Sequence, residues 1–565
     1  MGPLLAVALL VLGTLLIGLR GVAAMRTSSD FLVASRRVSP LLNSAAVSGE
    51  YLSAASFLGV AGLVVKDGMG ALWYPVGFTA GYIAMLILVA APMRRSGALT
   101  PPDFAEARLA SPALRRLCAV VVLVIGALYA VPQFRTAGLV LSAVSAYPYW
   151  VGVLVAGAVV SVTLVLGGMR AATYVQAFQF CLKLLLFIVP AVWLVVQAGP
   201  EVRHDAVNPV AFTHFTRETP VSFQVDVTLR VAEPVRVETP GGGAALLPGE
   251  HRIDAGRTLV FPEGARVPEV RGDEPLNGAE WRRPLLDLED SGHPLLGTWG
   301  VLLATALGTM GLPHILMRFH TSPDGRAARR TAAVTVVLLG VFYLFPGVYG
   351  ALGRVLVPEL YLSHATDTVV VALPAQVDTG WPGSLFTALL TMGAFAAFLA
   401  TSLGLLLVMS GAIAHDLLPG GLRRLRITVV LVAAGTVLLA LPATSVDAGV
   451  LVTWGFTVAA STFCPLLVLG IWWPRLTAAG ALTGVVTGLL TTSGAIVAAL
   501  FGPPLSGLTG LLVTQPAPWT VPLAFTAMVA ISLRGRPAPW SRAAMLRLHL
   551  DEARLRPPPS QNRPR

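Results

Sequence analysis

Apolar runs long enough to cross a membrane recur along almost the whole chain, and they limit the possible folds more than any other feature of the sequence. A helix of about 20 apolar residues spans a hydrocarbon core about 30 Å thick. Only 12% of the residues are charged, whereas soluble domains have about 25%, which excludes a soluble globular protein. Lipid offers the backbone no hydrogen bonds, so runs of this length are expected to be helical. The sequence therefore predicts an all-α polytopic membrane protein.

The positions of the apolar runs predict thirteen transmembrane helices. They lie near residues 3–21, 42–64, 71–92, 116–145, 150–167, 175–198, 296–317, 331–356, 382–413, 427–442, 449–472, 477–501 and 517–533. The first run lacks the basic residues that precede the apolar core of a signal peptide, so we expect it to be a retained helix. Arginines are concentrated in every second loop, which predicts a plasma-membrane protein with its N-terminus outside and its C-terminus cytoplasmic.

Composition divides the chain into six parts. They are an extra N-terminal helix (1–22), a first five-helix repeat (40–198), an extracytoplasmic insert (199–295), a second five-helix repeat (296–442), three C-terminal helices (449–533) and a disordered cytoplasmic tail (534–565). In the insert, polar and apolar residues alternate from Ser222 to Val231, which predicts a strand within a β-rich domain. A disordered acidic loop is the alternative, because proline, glycine and charged residues are frequent there.

The stretch SGEYLSAASFLG, from Ser48 to Gly59, places the carboxylate of Glu50 inside an apolar run. An ionisable residue within a membrane indicates a functional site, unless it only bonds a neighbouring helix. Small residues surround this acid and would let backbone carbonyls and hydroxyls approach an ion or a small polar solute. We expect a broken helix, because irregular backbone in a membrane must line a protein-buried cavity.

A second interruption, LGTMGLPHILMR, contains Gly308, Gly311 and Pro313. Proline has no N–H to donate and clashes with the preceding helical turn, so this run also predicts a break. The two interruptions begin the two five-helix groups. Paired breaks at corresponding positions are typical of inverted-repeat transporters with a binding site at the membrane midplane.

Two hydroxyl residues, Thr401 and Ser402, lie side by side in another apolar run. Hydroxyl oxygens suit a hard cation such as sodium. Alternatively, each hydroxyl bonds the carbonyl four residues before it in its own helix, and the residues alone favour this interpretation.

Basic residues within the apolar runs also have alternative interpretations. Arg135, close to Gln133, is expected either to pair with Glu50 or an organic anion, or to extend towards the outer surface. Lys183 is interpreted as an interface residue near the cytoplasmic start of its helix, and His314 as a packing histidine.

Several classes of protein are not indicated. The sequence shows no nucleophile with its base, no cluster of metal ligands and no phosphate-binding loop, so neither an enzyme nor a bound cofactor is expected. The net charge of +11 comes from short loops and the tail, as in membrane proteins, so nucleic acid is not an expected partner. The three cysteines fall in apolar segments and indicate no disulfide framework.

Five longer motifs contain these features or lie near them: DFLVASRRVSPLLNSAAVSGEYLSAASFLG (30–59), LVLGGMRAATYVQAFQ (164–179), GTMGLPHILMRFHTSPD (308–324), SGAIAHDLL (410–418) and WWPRLTAAGALTGVVTGL (472–489). Together they resemble the sodium:solute symporter family, and most of all its cation/acetate branch, which carries monocarboxylates. The resemblance implies thirteen helices with a leucine-transporter-type core of five plus five helices in inverted repeats. It covers nearly everything except the insert and the tail.

The resemblance also implies a site. The family's sodium ligands fall at Gly49, Leu52, Phe398, Thr401 and Ser402, which reverses the interpretation of the two hydroxyl residues given above. Substrate-binding residues are expected beside them at Glu50, Tyr51, Ser53, Ser56, Gln133, Arg135, Gly308 and Gly311. Two features depart from the acetate branch, which often has aspartate at the position of Glu50 and lacks so long an insert.

The expected function is symport of a small organic anion such as acetate, propionate or pyruvate across the lipid bilayer, with sodium as the coupling ion. One alternative is a proton-coupled carrier in which Glu50 accepts the proton. Another is a membrane sensor that has lost transport and binds a ligand through its external domain.

Overall fold

The computed structural model describes residues 2–550, apart from 20–26, 146, 210–211, 224–225, 240–241, 255, 271–277, 289–290, 364, 419, 444–447, 504, 538 and 540. Outside the insert, most of the described chain is helical. The α-helices are α1 (Gly2–Leu19), α2 (Ser28–Val33), α3 (Pro40–Tyr51), α4 (Val60–Asp67), α5 (Trp73–Leu88), α6 (Ala90–Arg95), α7 (Pro101–Leu109), α8 (Pro112–Val144), α9 (Tyr149–Gln197), α10 (Pro200–Val207), α11 (Gly278–Trp281), α12 (Pro294–Gly311), α13 (Pro313–His320), α14 (Gly325–Tyr343), α15 (Pro346–Leu356), α16 (Val369–Val377), α17 (Trp381–Gly411), α18 (Leu422–Ala440), α19 (Ala448–Ser461), α20 (Phe463–Trp472), α21 (Ala478–Phe501), α22 (Gly507–Thr514), α23 (Ala517–Arg534) and α24 (Ser541–His549).

Among the described residues, ten helices are long and apolar enough to cross a membrane, or eleven if one bent pair is a single span. The predicted spans at 150–167 and 175–198 fall together in α9, which changes direction at Gly168, where φ is +51°. Helix α18 overlaps the predicted span at 427–442 up to Ala440, but three of its first five residues are arginines. The count of thirteen stays a prediction.

The first predicted break lies between α3 and the π-helix Ala55–Gly59, which continues into α4, and the two segments meet at a bend of 67°. The backbone N–H of Ser53 donates to Tyr51 rather than to the carbonyl four residues earlier, and the N–H of Ala54 donates to the side chain of Gln133. The carbonyls of Gly49 and Glu50 therefore lose their usual helical donors. These oxygens are available to side chains of other helices.

The second predicted break lies between α12 and α13. Leu312 has an extended conformation, with φ −66° and ψ 116°, and Pro313 begins the next helix at its first position. Proline is favoured there because its missing N–H would have had no helical partner. The break turns α13 towards α3 and carries Arg318 into the protein interior.

Helices α9 and α17 form the centre of the bundle beside α3, and α17 is buried along almost its whole apolar length. Gly49 is required for the contact with α9, because a Cβ atom at this position would collide with the carbonyl oxygen of Gln176. The broken helix is thus enclosed on two sides by neighbouring helices.

The described part of the insert contains seven short strands in two antiparallel sheets. The strands are β1 (Thr219–Ser222), β2 (Val227–Val231), β3 (Val235–Thr239), β4 (Gly242–Leu246), β5 (Gly249–Ile253), β6 (Thr258–Phe261) and β7 (Glu269–Val270). They are ordered β1-β6-β3-β4 in one sheet and β5-β2-β7 in the other. Their apolar core includes the stacked rings of Phe215 and Phe261, and Tyr361 from the helical part packs against it.

The predicted strand from Ser222 to Val231 is two strands in the structure, since β1 ends at Ser222 and β2 begins at Val227. Residues 224–225 of that pattern lie outside the described residues. So do residues 551–565 of the predicted tail, whereas 541–549 form α24.

Candidate transport site at the broken helix

Glu50, the acid at the first break, forms an ion pair with Arg318 of α13. The distance from Nε to the carboxylate oxygen is 2.5 Å, and both side chains are completely buried. Arg318 also donates to Thr173, at 2.9 Å, and to the amide oxygen of Gln176, both on α9. The attraction between the two charges thus offsets the cost of removing each of them from water. The ion pair therefore joins the first break to α13, which follows the second break, and Arg318 holds both against α9.

The carboxylate of Glu50 lies directly against the backbone of α17. A Cβ atom at Gly404 would collide with this carboxylate, so only glycine leaves room for the acid. Gln176 donates to the carbonyl of Ala400 at 2.7 Å, which fixes α9 against the same helix. The glycine was not identified from the sequence.

Lys183 of α9 lies at the break, and its prediction as an interface residue was wrong. Its side chain is fully buried, and Nζ donates to the carbonyl oxygens of Gly49 and Leu52 at 2.5 and 2.7 Å. A helix rises about 1.5 Å per residue, so Lys183 is roughly 20 Å along α9 from Arg170. That distance exceeds what a lysine side chain can extend towards an interface.

The predicted hydroxyl pair on α17 also reaches the break. Thr401 donates to the carbonyl of Glu50 at 2.5 Å rather than to its own helix. The hydroxyl of Ser402 is buried and has no hydrogen-bond partner among the described residues. Phe398 is buried one turn earlier on the same helix. The structure therefore brings Thr401 of α17 to the freed carbonyl of Glu50.

Three predicted substrate residues bond hydroxyls on three other helices. Tyr51 pairs with Thr309 of α12 at 2.8 Å, and Ser53 accepts from Tyr129 of α8 at 3.2 Å. Ser56 pairs with the hydroxyl of Tyr343 on α14 at 2.9 Å. Polar groups from both five-helix groups thus converge on the break.

Aromatic rings enclose these hydroxyls. The ring of Tyr51 makes edge-to-face contacts with Phe78 and Tyr82, at centroid distances of 5.7 and 4.7 Å. Phe456 of α19 packs against Phe78 and Tyr129 at 5.1 and 5.6 Å. These edge-to-face and tilted contacts place the hydroxyls of the break within a packed apolar wall of aromatic rings.

Gln133 and Arg135 have separate environments. Gln133 accepts from the N–H of Ala54 at 2.9 Å and so holds the break open, whereas Arg135 donates to the carbonyl of Ala443 at 3.0 Å. Residues two positions apart point to opposite sides of a helix. Glu50 was one of the alternatives predicted for Arg135, beside an organic anion and extension towards the outer surface, and the structure pairs Glu50 with Arg318.

Gly308 and Gly311 lie where α12 approaches α19. A Cβ atom on Gly311 would come within 2.6 Å of the carbonyl oxygen of Ala459, and one on Gly308 would collide with the carbonyl oxygen of Phe456. These glycines allow close helix packing behind Tyr51. His314 is buried against the ring of Tyr129, at a centroid distance of 5.4 Å.

The sequence model of the sodium:solute symporter family matches residues 31–215 and 294–488, which is more than half of the chain. The chain belongs to this family. The matched segments contain both breaks, and the gap between them covers most of the insert.

Two curated proteins are similar to this chain over most of its length. One, from Bacillus subtilis (strain 168), is described as the uncharacterized symporter YwcA and is 29% identical over 489 residues, covering 85% of this chain and 82% of the relative. The other, from Corynebacterium glutamicum, is described as a monocarboxylic acid transporter and is 28% identical over 553 residues, covering 93% and 90%.

Two solved structures share the fold of this symporter. A Na+-coupled sialic acid symporter in a substrate-bound, outward-open state superposes with a TM-score of 0.66 at 12% identity, covering 95% of this chain and 98% of that one. Mhp1, a nucleobase-cation-symport-1 family transporter in a closed conformation, gives 0.50 at 13% identity, covering 92% and 98%. Both are transporters of the leucine-transporter fold. The chain is therefore a multi-pass membrane transporter and not an enzyme.

The residues at the break of this symporter do not fit a sodium ion at the position that the motif match implies. The carbonyl oxygens of Gly49 and Leu52, two of the expected ligands, both accept hydrogen bonds from Lys183. The hydroxyl proton of Thr401 is donated to the carbonyl of Glu50. An amino group therefore lies where the two carbonyls would hold a metal ion.

Sequence reasoning missed Lys183 and Arg318 as parts of the site. A signal for Lys183 was available, because Thr173, Gln176 and Lys183 follow one another by three and seven residues, which places them on one helix face. Arg318 could have been found by asking which basic residue near a break offsets the charge of Glu50.

Proposed function

We propose that this chain is a secondary active symporter that imports a small monocarboxylate, such as acetate, propionate or pyruvate, on an inward cation gradient. The observation that carries the proposal is the convergence of polar groups from α8, α12 and α14 on the break of α3. Family membership supports solute symport, and the relative described as a monocarboxylic acid transporter supports the substrate class.

The chemistry around the break suits a short carboxylate. Hydroxyls of Tyr51, Ser53 and Ser56 are donors for a carboxylate oxygen, and each already has a hydroxyl partner with which a ligand can exchange bonds. The rings of Phe78 and Phe456 form an apolar wall for a one- or two-carbon tail. A solute with a large polar body would leave its hydrogen bonds unmade there.

Two coupling cations are candidates. The family supports sodium. A proton is the second candidate, and the position of Lys183 between the carbonyls of Gly49 and Leu52 favours it, because those oxygens are no longer free for a metal ion.

The organisation of the transporter is part of the proposal. We propose thirteen helices with inverted five-helix repeats at 40–198 and 296–442, an outer N-terminus, an extracytoplasmic insert at 199–295 and a cytoplasmic tail at 534–565. Protease added outside intact cells should cut the insert and leave a C-terminal tag protected. Cleavage of the tag instead would reverse the orientation.

Uptake by purified protein in proteoliposomes tests the function. Labelled acetate, propionate, pyruvate and a sugar control are offered under a sodium gradient alone, a pH gradient alone, and neither. We expect accumulation of at least one carboxylate under one gradient, and its loss when that gradient collapses. Binding of a carboxylate without accumulation would favour the sensor, and no response to any carboxylate would refute the substrate class.

A matched pair of variants tests the place of binding. Ser56→Ala removes a hydroxyl at the break, whereas Thr79→Ala removes one that bonds only its own helix, at Pro75. We expect the first to raise the KM for the carboxylate several-fold and the second to leave it unchanged. Equal effects would place the substrate elsewhere.

A further inference from the structure

We propose that the amino group of Lys183 takes the place of a coupling cation at the broken helix, so that this site does not take up sodium. The inference rests on the proposed function only in treating the break as part of the transport site. It concerns the ion requirement, which the substrate assignment leaves open.

The contacts of Lys183 are those of a bound cation. Nζ lies 2.5 Å from the oxygen of Gly49 and 2.7 Å from that of Leu52, close to the lengths of charge-assisted hydrogen bonds. These oxygens belong to the break and are supplied by its irregular backbone. The lysine is completely buried, so its amino group cannot turn towards water while the helices keep this arrangement.

The balance of charges also leaves no place for a second cation. The charged groups facing Lys183 are Glu50 on α3 and, beyond it, Arg318 on α13. Helix α17, which packs along α9, carries no charged residue from Trp381 to Gly411, and neither does α1. With Glu50 ionised and both bases protonated, the cluster carries one excess positive charge. A sodium ion would add another in a buried setting, which is strongly unfavourable without a further anion.

The choice of residue supports the same conclusion. The chain has 38 arginines and only two lysines, Lys66 and Lys183. The compact ammonium of lysine acts as a point charge, whereas the planar guanidinium of arginine suits paired acceptors in one plane. Lysine is thus the basic side chain whose charged group can stand in for a spherical monovalent ion between two carbonyls.

The test compares the response to sodium of the wild-type protein and of Lys183→Ala. Thermal unfolding of each purified protein in detergent is followed at equal ionic strength in sodium chloride and in choline chloride. We expect no sodium-dependent shift for the wild type. We expect a clear upward shift for Lys183→Ala, because removal of the amino group frees the two carbonyls for the ion and a ligand that binds the native state stabilises it. Lys66→Ala, which removes the other lysine, serves as the control and should not respond.

Transport supplies the second measurement. Under a constant pH gradient and membrane potential, wild-type uptake should change less than twofold when choline replaces sodium on both sides. Sodium stabilisation of the wild type, or a folded Lys183→Ala protein that ignores sodium, would overturn the inference. If Lys183→Ala does not fold, Lys183→Met replaces it, and the wild-type result still decides. Uptake that requires sodium refutes the inference and leaves the proposed function intact. Absence of all carboxylate uptake, with the thermal results as expected, refutes the function instead.

Discussion

Replacing Glu50 by glutamine tests whether the buried ion pair organises the site. The substitution nearly keeps the shape of the side chain but removes its charge. Arg318 and Lys183 then remain as two fully buried basic groups without an acid facing them among the described residues. Breaking a buried pair by removing one partner costs about 3–5 kcal/mol. We therefore expect the free energy of unfolding to fall by about 3 kcal/mol or more, which is a factor of more than about 100 in the folding equilibrium.

Unfolding by SDS in mixed micelles, followed by tryptophan fluorescence, measures this loss. Glu201→Gln is the matched control, because Glu201 is exposed at the start of α10 and its replacement should change the free energy by less than about 0.5 kcal/mol. The double variant Glu50→Gln/Arg318→Met should cost at least about 1.5 kcal/mol less than the sum of the single variants, since contacting charges are coupled. An additive result, or a Glu50→Gln protein as stable as the control, would refute this account of the ion pair.

Three further predictions concern contacts around the break. Gly404→Ala should reduce carboxylate uptake at least about tenfold, because its methyl group collides with the Glu50 carboxylate, whereas Gly435→Ala, which has open space, should not change uptake; equal activity of the two would contradict the packing. Gln133→Leu should destabilise the protein by about 1–3 kcal/mol in the same SDS titration, because it leaves the buried N–H of Ala54 unpaired. Tyr343→Phe and Ser56→Ala should each raise the KM for the carboxylate, and the double variant should be no worse than the weaker single one, because both remove one shared hydrogen bond.

The breaks were accessible to sequence reasoning because their causes are local. Gly and small residues around Glu50, and Pro313 after a glycine-containing run, weaken a helix wherever they occur. The structure places irregular backbone at both positions. Thr401 could not be assigned in this way, since a hydroxyl that bonds its own helix and one that bonds a neighbour have the same sequence. The motif match implied a sodium ligand instead, and in the structure the hydroxyl bonds the carbonyl of Glu50.

The residues that contact the first break could not be predicted from the neighbouring sequence. Their contacts depend on how distant helices are rotated and placed in the bundle. Lys183 lies 134 positions after Gly49 in the chain, and Arg318 lies 268 after Glu50. Reasoning from Lys183 alone favoured the interface, since that is the common position of lysine in a membrane helix. In the structure, however, Lys183 lies too far along α9 for its side chain to reach the interface, and it bonds the break instead. Gly404 could not be predicted either, because a glycine is required there only by the carboxylate of Glu50, which lies on another helix.

The hydrogen bonds of the break connect its geometry to transport. Lys183 of α9 holds the carbonyls of Gly49 and Leu52, Thr401 of α17 holds that of Glu50, and Gln133 of α8 holds the N–H of Ala54. A buried backbone group left without a partner is costly, so these helices cannot move away from α3 unless other donors and acceptors replace them. An ionised carboxylate accepts hydrogen bonds but donates none, so it could replace the acceptor of the Ala54 N–H but not the donors of the three carbonyls. Because Lys183 binds two carbonyls at once, α9 is expected to remain with α3 while the helices carrying Thr309 and Tyr343 move against them.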